Sequence, residues 1–352
     1  MEEQLTEKES QTIIQKCPNC GGTLEYDIAS GNLKCGHCGT VQEIEKDYKV
    51  ARRELTNEIM KEHANWTEGT VFRCDACGAK QVLDKKEITK ICAFCGNPNI
   101  VSINELPGIK PDSVIPFQIT RESAVMRFKN WLKNKWLAPR IFKTADIRER
   151  INGIYSSSWL FSASTQSSYD GKLGRYVGSG KNRHIKWFRV SGSVDADFTD
   201  YSVQSGDRIS PAMFAKIKPF DLKLLKVYRQ EYLSGLIAEH YTRSLEICFN
   251  DFSNYVRQNL RQRIMKKHNA SHVSTLNINT NYRNKKFNYT LLPVYIANYN
   301  YNKKVYNFYV NGANGNVVGK YPKSIFKLFL LGLGIGIAAV AVIVAAWYLG
   351  LF

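Results

Sequence analysis

Eight of the nine cysteines stand in four C-x2-C pairs: Cys17 and Cys20, Cys35 and Cys38, Cys74 and Cys77, Cys92 and Cys95. The pairs form two copies of C-x2-C-x14-C-x2-C, offset by 57 residues. Thiolates are soft donors, and a hairpin that brings two short turns together sets four of them at the corners of a tetrahedron. The spacing therefore predicts two structural zinc sites. Glycine follows each pair directly, at Gly21, Gly39, Gly78 and Gly96, where a tight knuckle needs the positive φ that glycine tolerates. Four thiolates leave zinc no open position for a substrate, so the sites are expected to be structural rather than catalytic.

Other uses of these cysteines fit less well. The first sixteen residues are polar and acidic and do not read as a signal peptide, which argues for a reducing compartment and against disulfides. A thioredoxin-like pair would be single and beside a βαβ pattern, which is missing here. His37 lies inside a knuckle but is surplus to the four donors. Cys248 falls in a helical pattern and reads as a small buried residue.

The remaining candidates for chemistry are weak. Residues 171–181, GKLGRYVGSGK, fail the phosphate-loop spacing. Arg175 stands five residues before Gly180 where glycine belongs, and Asn182 stands where the metal-binding Ser or Thr belongs. A flexible basic loop is the expectation there. His268 and His272 are four apart without an acidic partner nearby in sequence. Asp195, Asp197 and Asp200 fit an outward polar strand face. No catalytic residue and no cofactor site beyond zinc is nominated, and the chain is not expected to be an enzyme.

The elements that must carry the cysteines follow from pattern and punctuation. The fold class is multidomain α+β: two small zinc ribbons, a duplicated helix-plus-antiparallel-sheet region, and one C-terminal transmembrane helix. The expected divisions are a polar tail (1–16), ribbon 1 (17–40), a helical linker (41–70), ribbon 2 (71–100), module A (101–210), basic module B (211–327) and the membrane helix (328–352). The linker reads as helical from Leu55, Ile59 and His63. Thr120 is a candidate cap for a helix with Val125, Phe128, Leu132 and Trp136 on one face. A second helix carries Leu245, Phe249, Phe252, Val256 and Ile264. Strands are expected over 155–165, 185–198, 287–300 and 305–310, the last closed by Asn311-Gly312 and Asn314-Gly315 turns. The duplication rests on two comparisons: Ile115-Pro116-Phe117 with Lys218-Pro219-Phe220, and 155–163 with 291–297.

Charge is spread unevenly over the 352 residues. The net charge is +18, yet residues 1–100 hold 13 Lys and Arg against 16 Asp and Glu, a net of −3, and the rest hold 36 against 15, a net of +21. Asp251 is the last acidic residue, and 13 cations follow it. A field of one sign this large attracts a polyanion, either nucleic acid or an anionic membrane surface. Residues 328–352 carry no charge and are long enough to span a bilayer. Lys320, Lys323 and Lys327 flank the span, so the positive-inside rule puts residues 1–327 in the cytosol. Gly332 and Gly336 form a G-x-x-x-G spacing that lets two such helices pair into a homodimer. Late tyrosines, Tyr282 to Tyr309, interleave with Arg283, Lys285, Lys286, Lys303 and Lys304. Anionic lipid headgroups, a plain solvated sheet and nucleic acid remain competing explanations of that surface.

The knuckles CPNCGG, CGHCGT, CDACGA and CAFCGN resemble the TFIIB-type zinc ribbon. With VIPFQITRESAVMRFKNWL, KWLAPRIFK, GIYSSSWLF and YNFYVNGANGNVVGKYP, the whole chain resembles the bacterial, mainly Firmicute, membrane-anchored zinc-ribbon proteins of the YdjG type. One departure is the segment Tyr155-Ser156-Ser157-Ser158-Trp159, in which family members tend to carry proline. The resemblance implies single-pass localisation in the bacterial inner membrane and no established enzymatic activity. It also implies partner proteins of the PspA-like and SPFH (flotillin-type) kinds in an envelope-stress assembly. The expected function is thus a cytosol-facing zinc-ribbon adaptor or scaffold, with a membrane-tethered nucleic-acid-binding protein as the alternative.

Overall fold

The computed structural model describes residues 16–45, 50–56, 58–59, 70–83, 92, 100–103, 109–140, 151–206, 209–234, 236–301 and 304–348. Three short strands form a small antiparallel sheet of their own: β1 (Leu24–Asp27), β2 (Asn32–Cys35) and β3 (Val41–Gln42). The next strands are β4 (Arg53–Glu54), β5 (Thr70–Cys74), β6 (Lys80–Leu83), β7 (Ile100–Ile103) and β8 (Ser113–Val114), all in a second sheet of 12 strands. Within the helical linker expected over 41–70, Val41–Gln42 pairs with β2 and Arg53–Glu54 pairs with Lys286 and Phe287, while residues 46–49, 57 and 60–69, His63 among them, lie outside the described residues. Leu55 is buried although its segment is extended, because a neighbouring strand covers it as well as a helix would.

Helix α1 (Arg121–Lys133) starts where capping chemistry predicts, with the Thr120 side chain accepting the Ser123 amide at 3.3 Å. Val125, Phe128 and Leu132 are buried, but Trp136 lies past the helix end and is 56% exposed. Three strands then dominate the molecule: β9 (Ile151–Val177), β10 (His184–Gln204) and, later, β13 (His272–Tyr301). Between β10 and β13 lie α2 (Pro211–Ile217), β11 (Lys226–Val227), β12 (Ile237–Glu239) and α3 (Leu245–Lys267). The chain closes with β14 (Lys304–Asn311), β15 (Val317–Gly319) and α4 (Ile325–Tyr348). Four α-helices are thus present among the described residues.

The core is organised by the strand alternation of β9 and β13, which pair antiparallel along nearly their whole length. Tyr155, Trp159 and Phe161 share one face with Phe287, Tyr289 and Tyr295, and α1 and α3 cover it. The Phe161 and Phe252 rings stack at 5.5 Å there. Ile154 and Leu160 share the other face with Leu292, Val294 and Ile296, covered by Phe214 and Ile217 of α2. Burying so many aromatics dominates the stability of the body.

Modules A and B are two copies of one unit, intertwined in a single sheet rather than separate domains. β8 lies parallel to β13 (Val114 opposite Leu291), and β12 lies parallel to β9 (Ala238 opposite Tyr155). Val114 to Ala238 is a step of 124 residues, and so is Thr120 to Ser244, the cap of α3. The hydrogen bonds repeat as well. The Gly312 carbonyl accepts the Gln118 and Ile119 amides, and the Ser205 carbonyl accepts those of Thr242 and Arg243. Tyr155 and Leu291 are equivalent, as the sequence comparison of 155–163 with 291–297 holds. The other comparison is corrected: Ile115-Pro116-Phe117 corresponds to Glu239-His240-Tyr241, not to 218–220. Phe117 packs on Tyr295 at 4.8 Å as Tyr241 packs on Trp159 at 5.6 Å.

The two ends of the long strands differ. Gly174 faces His272 at one end of the β9–β13 ladder and Ile151 faces Ala297 at the other, roughly 80 Å away at about 3.3 Å per residue. The first end is a finger: β9, β10 and β13 with the last turns of α3 packed on one side through Tyr169, Leu173, Val190 and Ile264. Residues 171–177, expected as loop, are strand, and only 178–183 turn. At the second end, Trp131 of α1 packs on Phe308 and Tyr321. There α4 is rooted, since the Ser324 amide donates to the Leu137 carbonyl and Lys327 Nζ donates to the carbonyls of Trp136 and Ala138 at 2.6 and 2.8 Å.

Candidate metal centres

Each of the three described knuckles is built by the same two backbone hydrogen bonds. The amides of Cys17, Cys35 and Cys74 donate to the carbonyls of Gly22, Thr40 and Ala79, and the amides of Gly21, Gly39 and Gly78 donate back to Cys17, Cys35 and Cys74. That closure needs a left-handed residue after the second cysteine, and Gly21, Gly39 and Gly78 have φ of 72°, 74° and 69°. The hairpin of β1 and β2, with Leu24 opposite Cys35, then carries the first knuckle to the second.

The result is two clusters of thiols whose sulfurs lie within 4.8 Å of one another: Cys17, Cys20, Cys35 and Cys38, and Cys74, Cys77 and Cys92. Cys95 and Gly96 fall outside the described residues. Cys17 Sγ and Cys38 Sγ are 3.5 Å apart, Cys20 and Cys35 3.6 Å, Cys77 and Cys92 3.7 Å. A tetrahedron of sulfurs about 2.3 Å from one ion has edges of about 3.8 Å, so the clusters have the size that a zinc-type ion requires. Before any ion binds, the thiols share protons unequally: the Thr40 hydroxyl and amide pull Cys38 down to about 6, while hydrogen bonding among the thiols pushes Cys20 up to about 12. Both clusters could hold a metal ion, and the thiolate-only donor set of the complete cluster suits zinc.

The clusters attach to the body differently. In the first, the Tyr26 amide donates to the Ser234 carbonyl, and the Tyr26 ring meets Tyr232 edge-on at 5.6 Å. Arg229 adds an ion pair to Glu45 at 2.6 Å. In the second, β6 pairs with β12 (Ala238 opposite Val82) and the His240 amide donates to the Lys80 carbonyl. That edge of β12 corresponds to the edge of β8 that β11 occupies in the other copy.

The weaker candidates resolve into structural roles. Cys248 is fully buried, its thiol donating to the Gln204 carbonyl at 3.6 Å, and burial pushes it up to about 12. It occupies the position of Ala124 in the other copy, which explains its small size. His268 contacts the Tyr169 hydroxyl at 2.9 Å, while His272 packs on Tyr176. Asp195 and Asp197 are exposed on β10, whereas Asp200 takes a two-pronged contact from Arg52 at 2.8 Å on both oxygens. One buried polar contact had no sequence signal: Ser156 Oγ donates to Glu239 Oε2 at 2.7 Å, with Glu239 only 2% exposed.

The fold and clusters define a mixed α+β protein with cysteine clusters able to take metal. Its C-terminal helix of 24 residues is long and apolar enough to cross a membrane. The chain is similar to a Bacillus subtilis (strain 168) protein named "Uncharacterized protein YdjG", with 28% identity over 366 aligned residues covering 96% of this chain and 94% of that protein. The similarity supports a YdjG-like protein over 96% of the chain. No family model matches the chain, and no solved structure matches it.

Proposed function

We propose that the chain is a zinc-loaded, tail-anchored scaffold that displays its ribbons to partner proteins on the cytosolic side of a bacterial inner membrane. The observation that carries this is the polarity of the first cluster. Its hairpin docks on Tyr232, while Cys20, Cys38 and the residues between Gly36 and Gly39 face outward, as a rigid protein-binding knuckle would. The positive residues 320–327 beside α4 support a cytosolic body, and the thiols keep their metal in that reducing compartment. The YdjG-type resemblance favours PspA-like and flotillin-type SPFH proteins as partners. Lys304, Tyr299, Tyr301 and Tyr306 sit at the anchored end, where anionic headgroups would meet them. Gly332 and Gly336 have open space around them, which suits a second copy packing there.

Metal analysis of reduced, chelator-free protein should return about two zinc ions per chain from the thiolate count. In-cell crosslinking with the anchor intact should capture partner proteins that a Cys17→Ser, Cys20→Ser variant loses. Zinc near zero, or identical capture by that variant, would overturn the proposal.

A further inference from the structure

The finger ends in a surface that the ribbon-scaffold reading does not use. Between Asp170 and Asp195 the chain holds Lys172, Arg175, Lys181, Arg183, Lys186 and Arg189 and no carboxylate, and all six cations are exposed. On the face away from α3, strand register puts three residues in one row: Trp187 of β10, Gly174 of β9 and His272 of β13. Trp187 packs against Gly174, whose missing side chain makes the room: a Cβ there would meet Ile185 at 2.7 Å and the indole at 2.8 Å. The indole is still 41% exposed, and Tyr176, one row further out, is 46% exposed. Tyr176 and Trp187 flank His272 at centroid distances of 4.6 and 6.4 Å. Arg183 lies over Tyr176 at 3.9 Å, and the next row inward pairs Arg189 with Lys172.

Exposed aromatic rings bordered by cations are the chemistry that stacks bases and neutralises phosphates. Position favours a target other than the protein's own bilayer: the finger and the root of α4 lie at opposite ends of the same strands, roughly 80 Å apart along them. We infer that the fingertip binds single-stranded nucleic acid, bases stacking on Trp187 and Tyr176 and phosphates meeting Lys172, Arg183 and Arg189. This rests on the finger alone and stands or falls independently of the ribbons.

The test uses full-length protein in nanodiscs of neutral lipid and a fluorescein-labelled oligothymidylate followed by anisotropy. Binding should weaken with salt at a log-log slope of about −2, as three phosphate contacts on a single strand give. Trp187→Ala should weaken it about tenfold at fixed salt, with Trp187→Phe recovering most of the loss. Lys172→Gln with Arg189→Gln should flatten the salt slope while unchanged zinc content and melting temperature report an intact fold. Absence of binding at low salt, or binding that these variants leave unchanged, overturns the inference. So does tip-dependent capture of phosphatidylglycerol vesicles without oligonucleotide binding, which would make the tip a bridge to a second membrane.

Discussion

The first cysteine cluster sits on a sheet of its own and leans on the body through the Tyr26–Tyr232 ring contact, the Tyr26 amide on the Ser234 carbonyl and one ion pair. The second, with the same spacing and the same knuckle, is sewn into the main sheet as an extra strand beside β12. An identical cysteine motif can therefore be an appendage in one place and a structural edge in another. What distinguishes them is whether a strand next to the knuckle finds an open ladder: β12 offers one, and the 3-10 turn Gln230–Leu233 under the first cluster does not.

The sharpest way to break this contrast is to disable each cysteine cluster in turn. Cys74→Ser with Cys77→Ser should release β6 from β12, lowering the stability of the body by several kcal/mol, since structural zinc contributes folding energy directly. Hydrogen exchange at the His240 amide, which donates to Lys80, should accelerate with it. Cys17→Ser with Cys20→Ser should lose one metal ion and leave that amide protected. Equal losses from the two variants would erase the distinction. A smaller effect is expected from Tyr232→Ala, about 3 kcal/mol for a buried ring. It should loosen the first cluster from the body with its zinc retained, read as new protease sensitivity at constant metal content.

The body can also be probed with both clusters untouched. Burial holds Lys218 at about 8, below its ordinary value of 10.5. At lower pH the folded protein carries the full cost of a buried charge. Between those two values the unfolded chain keeps the proton that the folded one has released, so stability should rise with pH, by about 3 kcal/mol at most. Thermal melts should show that rise in the native protein and not in Lys218→Met. The smallest effect belongs to Arg229→Ala: Glu45 is largely exposed, so the pair should contribute about 0.5 kcal/mol or less, and a melting shift well above one degree would mean that the first cluster is tied more firmly than its contacts imply.

Much of this arrangement could be read from local chemistry. Cysteine spacing, the Thr120 cap, the apolar period of α3 and the uncharged terminal helix each depend on neighbours in sequence. Long-range pairing was less accessible. The finger strands contain Gly171, Gly174 and runs of Ser and Asn, which read as loop because their faces are solvated rather than alternately apolar. Leu55 and Ile59 mimic a helix period, although strand pairing with β13 determines the extended form at Arg53 and Glu54. The start of the repeat is hidden in the sequence because Lys218-Pro219-Phe220 looks like Ile115-Pro116-Phe117, whereas the equivalent Glu239-His240-Tyr241 keeps the backbone role and little of the chemistry.

The lysine at the root of α4 has a mechanical consequence. Lys327 clamps the helix to the carbonyls of Trp136 and Ala138, so the helix and the body would turn together as one lever. At about 1.5 Å per residue, 24 helical residues are roughly 36 Å long, more than a bilayer core of about 30 Å, and an anchor of that length adjusts to membrane thickness by leaning. With α4 in a bilayer, as proposed, a lean of about 10° would swing a point roughly 80 Å away through about 14 Å. Local thinning of the membrane would then be converted into displacement of the far end of the molecule.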